Sequence, residues 1–397
     1  MRVAYLANYQ GADLIQKRGV HANLALAGSR KIGEICGMLA AAGTEVVVFS
    51  LGAVAERTGK WHAAFQSHVS PTIPVIVRYA SAWDVQIVSQ GVGYFSLNRA
   101  FAEEHATRPF DAILLYNTPL PETRIAITSA RRWGIPVVLE YEDSVEIFAD
   151  GSRTWKNRVW ASMLESIRPH VKGIIAASPE LLEQLESPNK LLLRGLLSPD
   201  IRELAPTPVQ QPVRILFAGS MQRSKGVDLL CEAWELLSTK GTELHLVGSG
   251  QELPGLQSRY QCAGRVFHGL VSRQKLLSLM SSAWIFANPH RSGRDLPGNV
   301  SPFKLVEYLG VGRPVISTRM GAIESELEQG ICYSNSQSPA DIAIAIDSVL
   351  HNYSFWAGRA AHAREAAWQS YSPATVASGV SKVLHAACGR ASAFSTS

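Results

Sequence analysis

The sequence predicts an α/β fold built from two doubly wound domains. Short apolar runs, typical of parallel strands buried on both faces, alternate with segments of helical periodicity. A proline- and glutamine-rich stretch at residues 203–212 interrupts this alternation, which then begins again. The chain of 397 residues is also longer than one hydrophobic core ordinarily supports, so two domains are expected.

The first half of the chain alternates predicted strands and helices. Gly43 ends the first long helix before a β-branched strand, and Ser178 with Pro179 begins a later helix as an N-cap followed by a first-turn proline. The strands are predicted at residues 2–7, 45–49, 111–116, 137–141 and 173–177. The helices are predicted at residues 29–42, at residues 122–133 and from Pro179 onward.

The second half repeats the pattern. Its strands are predicted at residues 213–218, 243–247, 265–268, 284–288 and 314–318. Its helices are predicted at residues 227–239, 274–281, 302–309, 339–352 and 373–387. Because ligands of open parallel sheets bind beyond the carboxyl ends of the strands, the loops at those ends are where the chemistry is expected.

The composition indicates a globular protein without a nucleic-acid partner. Charged residues make up 18% of the chain and the hydrophobic set 46%, which excludes a disordered chain. With 38 basic and 33 acidic residues the net charge is +5, an excess that suits an anionic ligand or an anionic membrane surface. No basic block or nucleic-acid-binding motif occurs.

A cytoplasmic location is expected. The five cysteines are widely spaced and form no C-x-x-C pair, so reduced thiols are expected rather than disulfides or a zinc site. The N-terminus lacks the pattern of a signal peptide. The apolar stretch at residues 36–55 is interrupted by Gly43-Thr44-Glu45, where a helix should end, so no membrane span is predicted.

The loop after residues 213–218 has the features of an anion site. It contains Gly219, Arg223 and Lys225, and Gly226 opens the next helix. Free N–H groups at a helix start, beside a lysine and an arginine, suit a diphosphate, although a solvated surface turn has the same pattern. A P-loop is not expected, because Gly226 stands where that motif needs a magnesium-binding Ser or Thr.

Two later segments add candidate ligand contacts. Gly248 and Gly250 follow a strand and permit close approach of the backbone to a ligand, although a plain tight turn also fits. Lys304 and Glu307 share one face of a predicted helix. The carboxylate of Glu307 can accept both hydroxyls of a ribose, and the N–H groups of residues 299–303 can face phosphate or sugar oxygens. An exposed Lys–Glu pair on a surface helix is the alternative.

In this order, these segments resemble the retaining glycosyltransferases of family 4, which have the two-domain B fold (GT-B). The resemblance covers essentially the whole chain and is clearest over residues 213–324. It implies two Rossmann-like domains facing a central cleft. The implied parts are an acceptor-binding domain at residues 1–203, a donor-binding domain at residues 204–365, and a helix with a tail at residues 366–397 that returns to the N-terminal domain.

The resemblance also implies roles for single residues on the donor side. Lys225 takes the place of the family's diphosphate-binding lysine, and Glu307 that of the ribose-binding second glutamate of its E-x7-E motif. The other implied donor-binding positions are Gly219, Ser220, Gly248, Gly250, His268, Gly269, Asn299, Val300, Ser301 and Lys304.

Two donor-side positions depart from the family pattern. Ser220 stands where the family has an arginine, for which Arg223 is the expected substitute. Asn299 stands where the family has the first glutamate of E-x7-E, which normally meets the hydroxyls of the transferred sugar. Some bacterial members with the same Ser-Pro-x-Lys-Leu-x-Glu-Tyr form also lack that glutamate. The departure leaves the identity of the transferred sugar open.

On the N-terminal side, Gly28 lies where the family's acceptor-side loop enters the first long helix. The implied acceptor site consists of Gly28, Ser29, Arg30 and Lys31. Arg30 and Lys31 can bind an anionic acceptor or be simple surface charges. Glu142 and Asp143 end a strand and are candidates to orient the acceptor, with an N-cap in a solvated turn as the alternative.

The expected reaction follows from these parts. No D-x-D motif for a metal occurs, so no cofactor is expected besides the nucleotide-diphosphate sugar that serves as donor substrate. The expected catalytic residues are Lys225, Arg223, Glu142 and Asp143, of which the two cations stabilise the charge on the leaving diphosphate. The resemblance implies attack from the leaving group's own face, with retention of configuration. A hexose-type sugar would pass to a glycan, lipid-linked or small-molecule acceptor, in bacterial surface polysaccharide or glycoconjugate synthesis.

Several alternatives remain open at this point. A sugar-nucleotide epimerase of the same fold would act on the donor alone, and a non-catalytic sugar-nucleotide-binding protein would show no turnover. A nicotinamide-dependent oxidoreductase is disfavoured, because Leu253 replaces the third glycine of a dinucleotide fingerprint. The helix at residues 154–167 carries an apolar face with basic residues nearby, which fits a core-facing helix or peripheral contact with the inner face of a membrane.

Overall fold

The computed structural model describes residues 1–19, 26–52, 59–142, 155–204, 211–291, 303–321 and 323–390. The chain divides into two compact units, Met1–Leu193 with Ala374–Ser397, and Arg194–Pro373. The sequence places these boundaries near residues 203 and 365 instead. The segment after Leu193 packs in the second unit, because Arg194 pairs there with Glu324 at 2.6 Å.

The first unit is an eight-stranded sheet with helices on its faces. The strands of the whole unit, including the two outside this sheet, are β1 (Arg2–Leu6), β2 (Glu45–Ser50), β3 (Trp61–His62), β4 (Phe65–Ser70), β5 (Ile73–Tyr79), β6 (Ala82–Trp83), β7 (Ala112–Tyr116), β8 (Val137–Tyr141), β9 (Val171–Ala176) and β10 (Lys190–Leu192). The sheet order is β10-β9-β8-β7-β1-β2-β5-β4, with β3 and β6 as a separate pair. All pairs in the large sheet are parallel except β4 with β5.

The helices of the first unit are α1 (Ala12–Arg18), α2 (Leu26–Ala41), α3 (Gln86–Thr107), α4 (Leu120–Trp133), α5 (Trp155–Ile167), α6 (Pro179–Glu183) and, from the end of the chain, α15 (Pro373–Ala387). Helix α15 lies directly on the sheet, since a Cβ at Gly173 of β9 would fall 2.6 Å from Val383. No helix in the described part of the chain is long and apolar enough to cross a membrane.

The second unit is a six-stranded parallel sheet. Its strands are β11 (Val213–Ala218), β12 (Thr242–Val247), β13 (Arg265–Gly269), β14 (Ile285–Asn288), β15 (Val315–Ser317) and β16 (Ile331–Tyr333), in the order β13-β12-β11-β14-β15-β16. Its helices are α7 (Pro199–Arg202), α8 (Val227–Glu235), α9 (Leu253–Tyr260), α10 (Arg273–Ser282), α11 (Phe303–Val311), α12 (Ser325–Glu328), α13 (Pro339–His351) and α14 (Tyr353–Tyr371).

The strand orders fix where ligands can bind. The order reverses between β1 and β7 in the first sheet and between β11 and β14 in the second. At such a point the loops after the two strands turn to opposite faces and leave a crevice at their carboxyl ends. Strands β1 and β8 are buried at every position, which is why they appear in the sequence as continuous apolar runs.

Several elements carry too weak a pattern to be read from the sequence. Strand β5, which lies between β2 and the edge strand β4, alternates between buried and partly exposed positions. Helix α14 buries chiefly alanines, at Ala360, Ala363 and Ala367, and alanine does not stand out as a core residue. Helix α2 begins at Leu26 rather than at residue 29, and α8 ends at Glu235 rather than at residue 239.

Candidate functional site

The loops after β11, β12 and β13 pack closely through their glycines. The N–H of Gly248 donates to the carbonyl of Gly269 at 2.8 Å. A Cβ at Gly248 would fall 1.8 Å from the carbonyl oxygen of Gly219, and one at Gly250 would fall 2.6 Å from that of Met221. Only glycine allows these approaches. The structure thus brings the predicted donor-side glycines together at one edge of the second sheet.

The turn Arg223–Lys225 is held against the loop after β14. Gly226 follows it with a φ of +65°, and a Cβ there would fall 1.8 Å from the carbonyl oxygen of Pro289. The backbone N–H of Arg291 donates to the carbonyl of Ser224 at 2.9 Å. The lysine turn and the loop after β14 therefore form the two walls of the crevice between β11 and β14.

Helix α11 is fixed against the end of β11 by Tyr308. The hydroxyl of Tyr308 donates to the carbonyl of Ala218 at 3.0 Å and accepts from its N–H at 2.7 Å. The ring of Tyr308 stacks on Phe286, with 4.4 Å between the ring centroids. These contacts hold the preceding turn of the helix, with Lys304 and Glu307, at the same sheet edge.

Lys304 places a buried ammonium group at this edge. Its Nζ lies 4.0 Å from the centroid of the Phe217 ring and would be 3.2 Å from a Cβ at Gly219. Neither this Nζ nor the buried Oγ of Ser220 has a hydrogen-bond partner among the described residues. Burial, and then the charge of Lys225, lower the pKa of Lys304 well below its usual range. An anion bound at this edge would favour the charged form of Lys304, because it would offset both the burial and the repulsion from Lys225.

The carboxylate of Glu307 faces an arginine rather than Lys304. Arg273 Nη1 lies 3.9 Å from Glu307 Oε1. Arg273 also forms a two-pronged pair with Asp200, with both N–O distances 2.7 Å. The arginine is thereby oriented, and the simple Lys–Glu surface pair considered from the sequence is not the arrangement found.

His268 lies at the end of β13, directly before Gly269. Its Nε2 is 3.0 Å from Nδ1 of His245. Burial, and then the neighbouring His245, lower the pKa of His268. The glycine loops are therefore flanked by an imidazole that is neutral at pH 7.

In the first unit, the start of α2 lies beside the end of β7. A Cβ at Gly28 would lie 3.5 Å from the hydroxyl of Tyr116. Ser29 Oγ accepts from the N–H of Gln10, in the loop after β1, at 2.9 Å. Arg30 pairs at 3.7 Å with a glutamate one turn later on the same helix. Gly28 and Ser29 therefore lie at the crevice between β1 and β7.

Lys31 is buried, which corrects the interpretation of this residue as a surface charge. Its Nζ lies 2.6 Å from Glu140 Oε1 and also pairs with Glu142. The hydroxyl of Tyr116 donates to the other oxygen of Glu142. Burial opposes the charge on Lys31, but the two carboxylates outweigh it and raise the pKa of Lys31. Its charge is therefore balanced within the protein and is not offered to an anionic acceptor.

Some predicted positions lie outside the described residues. They are Asp143, Asn299, Val300 and Ser301.

Two family models match most of the chain. The model described as glycosyl transferases group 1 matches residues 212–352, and the one described as a glycosyl transferase 4-like domain matches residues 28–189. The chain belongs to the group 1 glycosyltransferases. The family that the sequence motifs resemble is thus confirmed for this glycosyltransferase. A search of curated proteins gave no match.

Solved structures confirm the predicted GT-B fold class of this glycosyltransferase. Sucrose-phosphate synthase from Thermosynechococcus elongatus is 16% identical, with a TM-score of 0.69 over 95% of this chain and 96% of that one. Anabaena HepE, in complex with UDP-glucose, is 15% identical, with a TM-score of 0.65 over 97% and 100%. The catalytic domain of starch synthase IV from Arabidopsis thaliana is 10% identical, with a TM-score of 0.63 over 98% and 100%. At these identities the likeness concerns the fold alone.

Sequence reasoning missed several residues of this glycosyltransferase that lie near the predicted donor-binding positions. His290 and Arg291 lie in the loop after β14, which ends at Asn288, so the rule that pointed to Gly219 after β11 applies to them equally. Arg273 and Asp200 are 73 residues apart, and no local pattern connects them. Such a pair is visible only once the chain is folded.

Proposed function

We propose that this glycosyltransferase transfers a hexose-type sugar from a nucleoside diphosphate to an acceptor hydroxyl, with retention of configuration and without a metal ion. The observation that carries the proposal is the buried amino group of Lys304, which has no hydrogen-bond partner in the described part of the chain and lies beside Lys225. Two cations in the crevice between β11 and β14 suit the two phosphates of such a donor.

The donor-side residues have separate tasks in this proposal. Lys225, Lys304 and the exposed Arg223 offset the negative charge that develops on the diphosphate as its bond to the sugar breaks. The carboxylate of Glu307, oriented by Arg273, accepts the ribose hydroxyls. The family resemblance supports attack from the face of the leaving diphosphate, one of whose oxygens helps to deprotonate the acceptor.

The first unit is proposed to bind the acceptor. Glu142 is the more exposed of the two carboxylates beside Lys31, with 13% of its side chain accessible against 1% for Glu140. Lys31 and Tyr116 orient it, so it can accept a hydrogen bond from an acceptor hydroxyl. Two carboxylates against one ammonium leave an excess negative charge, which favours a neutral hydroxyl acceptor over an anionic one.

The ligands of structurally similar proteins support the class of donor. HepE was solved with UDP and with UDP-glucose, and starch synthase IV with ADP and acarbose. The base is therefore left open between uracil and a purine. We place the reaction in bacterial surface polysaccharide or glycoconjugate synthesis, on the cytoplasmic side, with α5 as the candidate for peripheral membrane contact.

Thermal-shift measurements with UDP, ADP, GDP and their glucose or mannose conjugates test the donor site, because a ligand that binds only the folded state raises the melting temperature. Transfer from the conjugate that binds should then proceed in excess EDTA, with the anomeric configuration retained by NMR. Loss of transfer in EDTA that magnesium restores would remove the metal-free mechanism. Epimerised donor without any transfer product would favour the epimerase.

A further inference from the structure

His290 lies in the loop after β14, which forms one wall of the proposed donor crevice. The proposed mechanism gives this residue no role. Strand β14 lies next to β11 in the sheet. The carbonyl of Pro289 packs on Gly226, and the N–H of Arg291 bonds to Ser224. The residue is thus held on both sides against the lysine turn, with only 4% of its surface exposed.

A chain of hydrogen bonds fixes where the imidazole carries its proton. Ser317 Oγ donates to the Thr318 carbonyl at 2.8 Å and accepts from Nδ2 of Asn288 at 2.9 Å. The amide oxygen of Asn288 therefore faces Nδ1 of His290, at 2.7 Å. Because an amide oxygen can only accept, Nδ1 must carry the hydrogen.

The remaining ring nitrogen, Nε2, is consequently an acceptor. Burial, and then the charges of Lys304 and Lys225, lower the pKa of His290 far below its ordinary value, so the ring is neutral. In a neutral imidazole with its proton on Nδ1, Nε2 holds a lone pair. Asn288 is the one side chain among those described that hydrogen-bonds the ring.

We propose that Nε2 of His290 accepts a hydrogen bond from a hydroxyl of the sugar that the donor diphosphate carries, and so helps to select the transferred sugar. The inference rests on the proposed function of the second unit. The two lysines attract phosphate oxygens, but a lone pair beside them repels such oxygens and requires an O–H donor on the same ligand. The sugar bonded to the diphosphate supplies hydroxyls next to the phosphates, whereas the ribose hydroxyls are assigned to Glu307.

Isothermal titration of wild type and of His290→Ala tests the inference. For each protein, the affinity for a nucleoside diphosphate is compared with the affinity for its sugar conjugate. The pairs are UDP and UDP-glucose, ADP and ADP-glucose, and GDP and GDP-mannose. For the base that binds, affinity for the nucleoside diphosphate should stay within about twofold, while affinity for its sugar conjugate should fall about tenfold, as for one lost hydrogen bond. His351→Ala, an exposed residue at the end of α13, is the matched control.

Deoxy sugars locate the hydroxyl. One monodeoxy form of the sugar conjugate should bind wild type about tenfold more weakly than the unmodified conjugate does. The same deoxy form and the unmodified conjugate should bind His290→Ala equally well, because the two changes remove the same contact. If the alanine variant fails to fold, two larger replacements test whether Nε2 accepts a hydrogen bond from the sugar. His290→Gln keeps an acceptor oxygen and should retain most of the sugar-dependent affinity, whereas His290→Met should lose it.

Three outcomes would overturn the inference or its basis. Equal losses for the diphosphate and its sugar conjugate would assign His290 to the phosphates or to folding. Unchanged affinity for the conjugate would mean that Nε2 contacts no sugar. Failure of wild type to bind any of these nucleotides would refute the proposed function itself, which is a different result.

Discussion

Arg291 and Asp228 form a two-pronged ion pair, with Nη1–Oδ1 and Nη2–Oδ2 distances of 2.6 and 2.7 Å. Asp228 lies in the first turn of α8, and Arg291 also donates to the carbonyl of Arg223 at 2.9 Å. The pair therefore ties the turn that carries Lys225 to the loop after β14. The ion pair thus helps to hold the turn that carries Lys225 in place.

Asp228→Asn should loosen this turn. Affinity for the nucleoside diphosphate is expected to fall by about threefold to tenfold, since one charge-assisted contact is weakened while the side chain keeps its shape. Calorimetric titration measures the affinity, and Glu232→Gln on the same helix, whose carboxylate pairs with an exposed arginine, is the control. Equal affinity in both variants would show that the pair only stabilises the fold.

Lys225→Ala should cut turnover by about a hundredfold or more, in line with the loss of an electrostatic stabiliser of the leaving group. The melting temperature should change little, because the residue is only half-buried. Steady-state kinetics with the donor that binds provides the measurement, and Lys240→Ala at an exposed position is the control. Near-normal turnover of a folded Lys225→Ala enzyme would remove the residue from the site.

Lys304→Met should have opposite effects on stability and on binding. Replacing a buried ammonium that lacks a hydrogen-bond partner among the described residues should stabilise the free protein by about 1–3 kcal/mol. Nucleoside diphosphate affinity should fall at least tenfold. Denaturant unfolding and calorimetry measure the two quantities, with Lys240→Met as the control. A destabilised variant with normal affinity would show that the lysine serves packing.

Glu307→Gln should weaken nucleotide binding by about 1.5–3 kcal/mol, the range for hydrogen bonds to a charged group. Arg273→Gln should weaken it less, since Arg273 acts by orienting the carboxylate. Titration with the nucleoside diphosphate and with its 2′-deoxy form tests this, because the Glu307 variant should lose much less affinity for the deoxy ligand than for the nucleoside diphosphate. Equal losses for both ligands would place the carboxylate away from the ribose.

Glu122→Gln should stabilise the protein at alkaline but not at acid pH. Glu122 lies in the first turn of α4 with 1% of its surface exposed, and burial raises its pKa from 4.5 to about 7. Because the folded-state pKa is raised, the protonated form contributes fully below pH 4.5 and its contribution is lost as the pH rises through 7.

The two proteins should therefore unfold with similar free energies at pH 5. At pH 8.5, where a shift of this size is fully expressed, the free energy of unfolding of the variant should exceed that of wild type by about 3 kcal/mol. Denaturant unfolding at both pH values measures the difference. Glu180→Gln, in the exposed first turn of α6, should show no such dependence. A gain that is the same at pH 5 and pH 8.5 would contradict the ionisation of Glu122.

The sequence by itself determined the fold class, the family and most donor-side loops. Parallel strands buried on both faces are continuous apolar runs in the sequence, and the glycines at Gly219, Gly226 and Gly248 mark places where the backbone must approach another segment closely. These signals are local, because each depends on a few consecutive residues. Elements whose cores consist of small or half-exposed residues, such as α14 and β5, gave no such signal.

Only the tertiary structure decided which charges are available to a ligand. Lys31 and Lys304 look alike in the sequence, each near the start of a helix beside an expected ligand site. Folding places Lys31 between Glu140 and Glu142, 109 and 111 residues away, and gives Lys304 no hydrogen-bond partner among the described residues. Whether a buried charge is neutralised depends on strands distant in the chain, and therefore on the sheet order rather than on the local sequence.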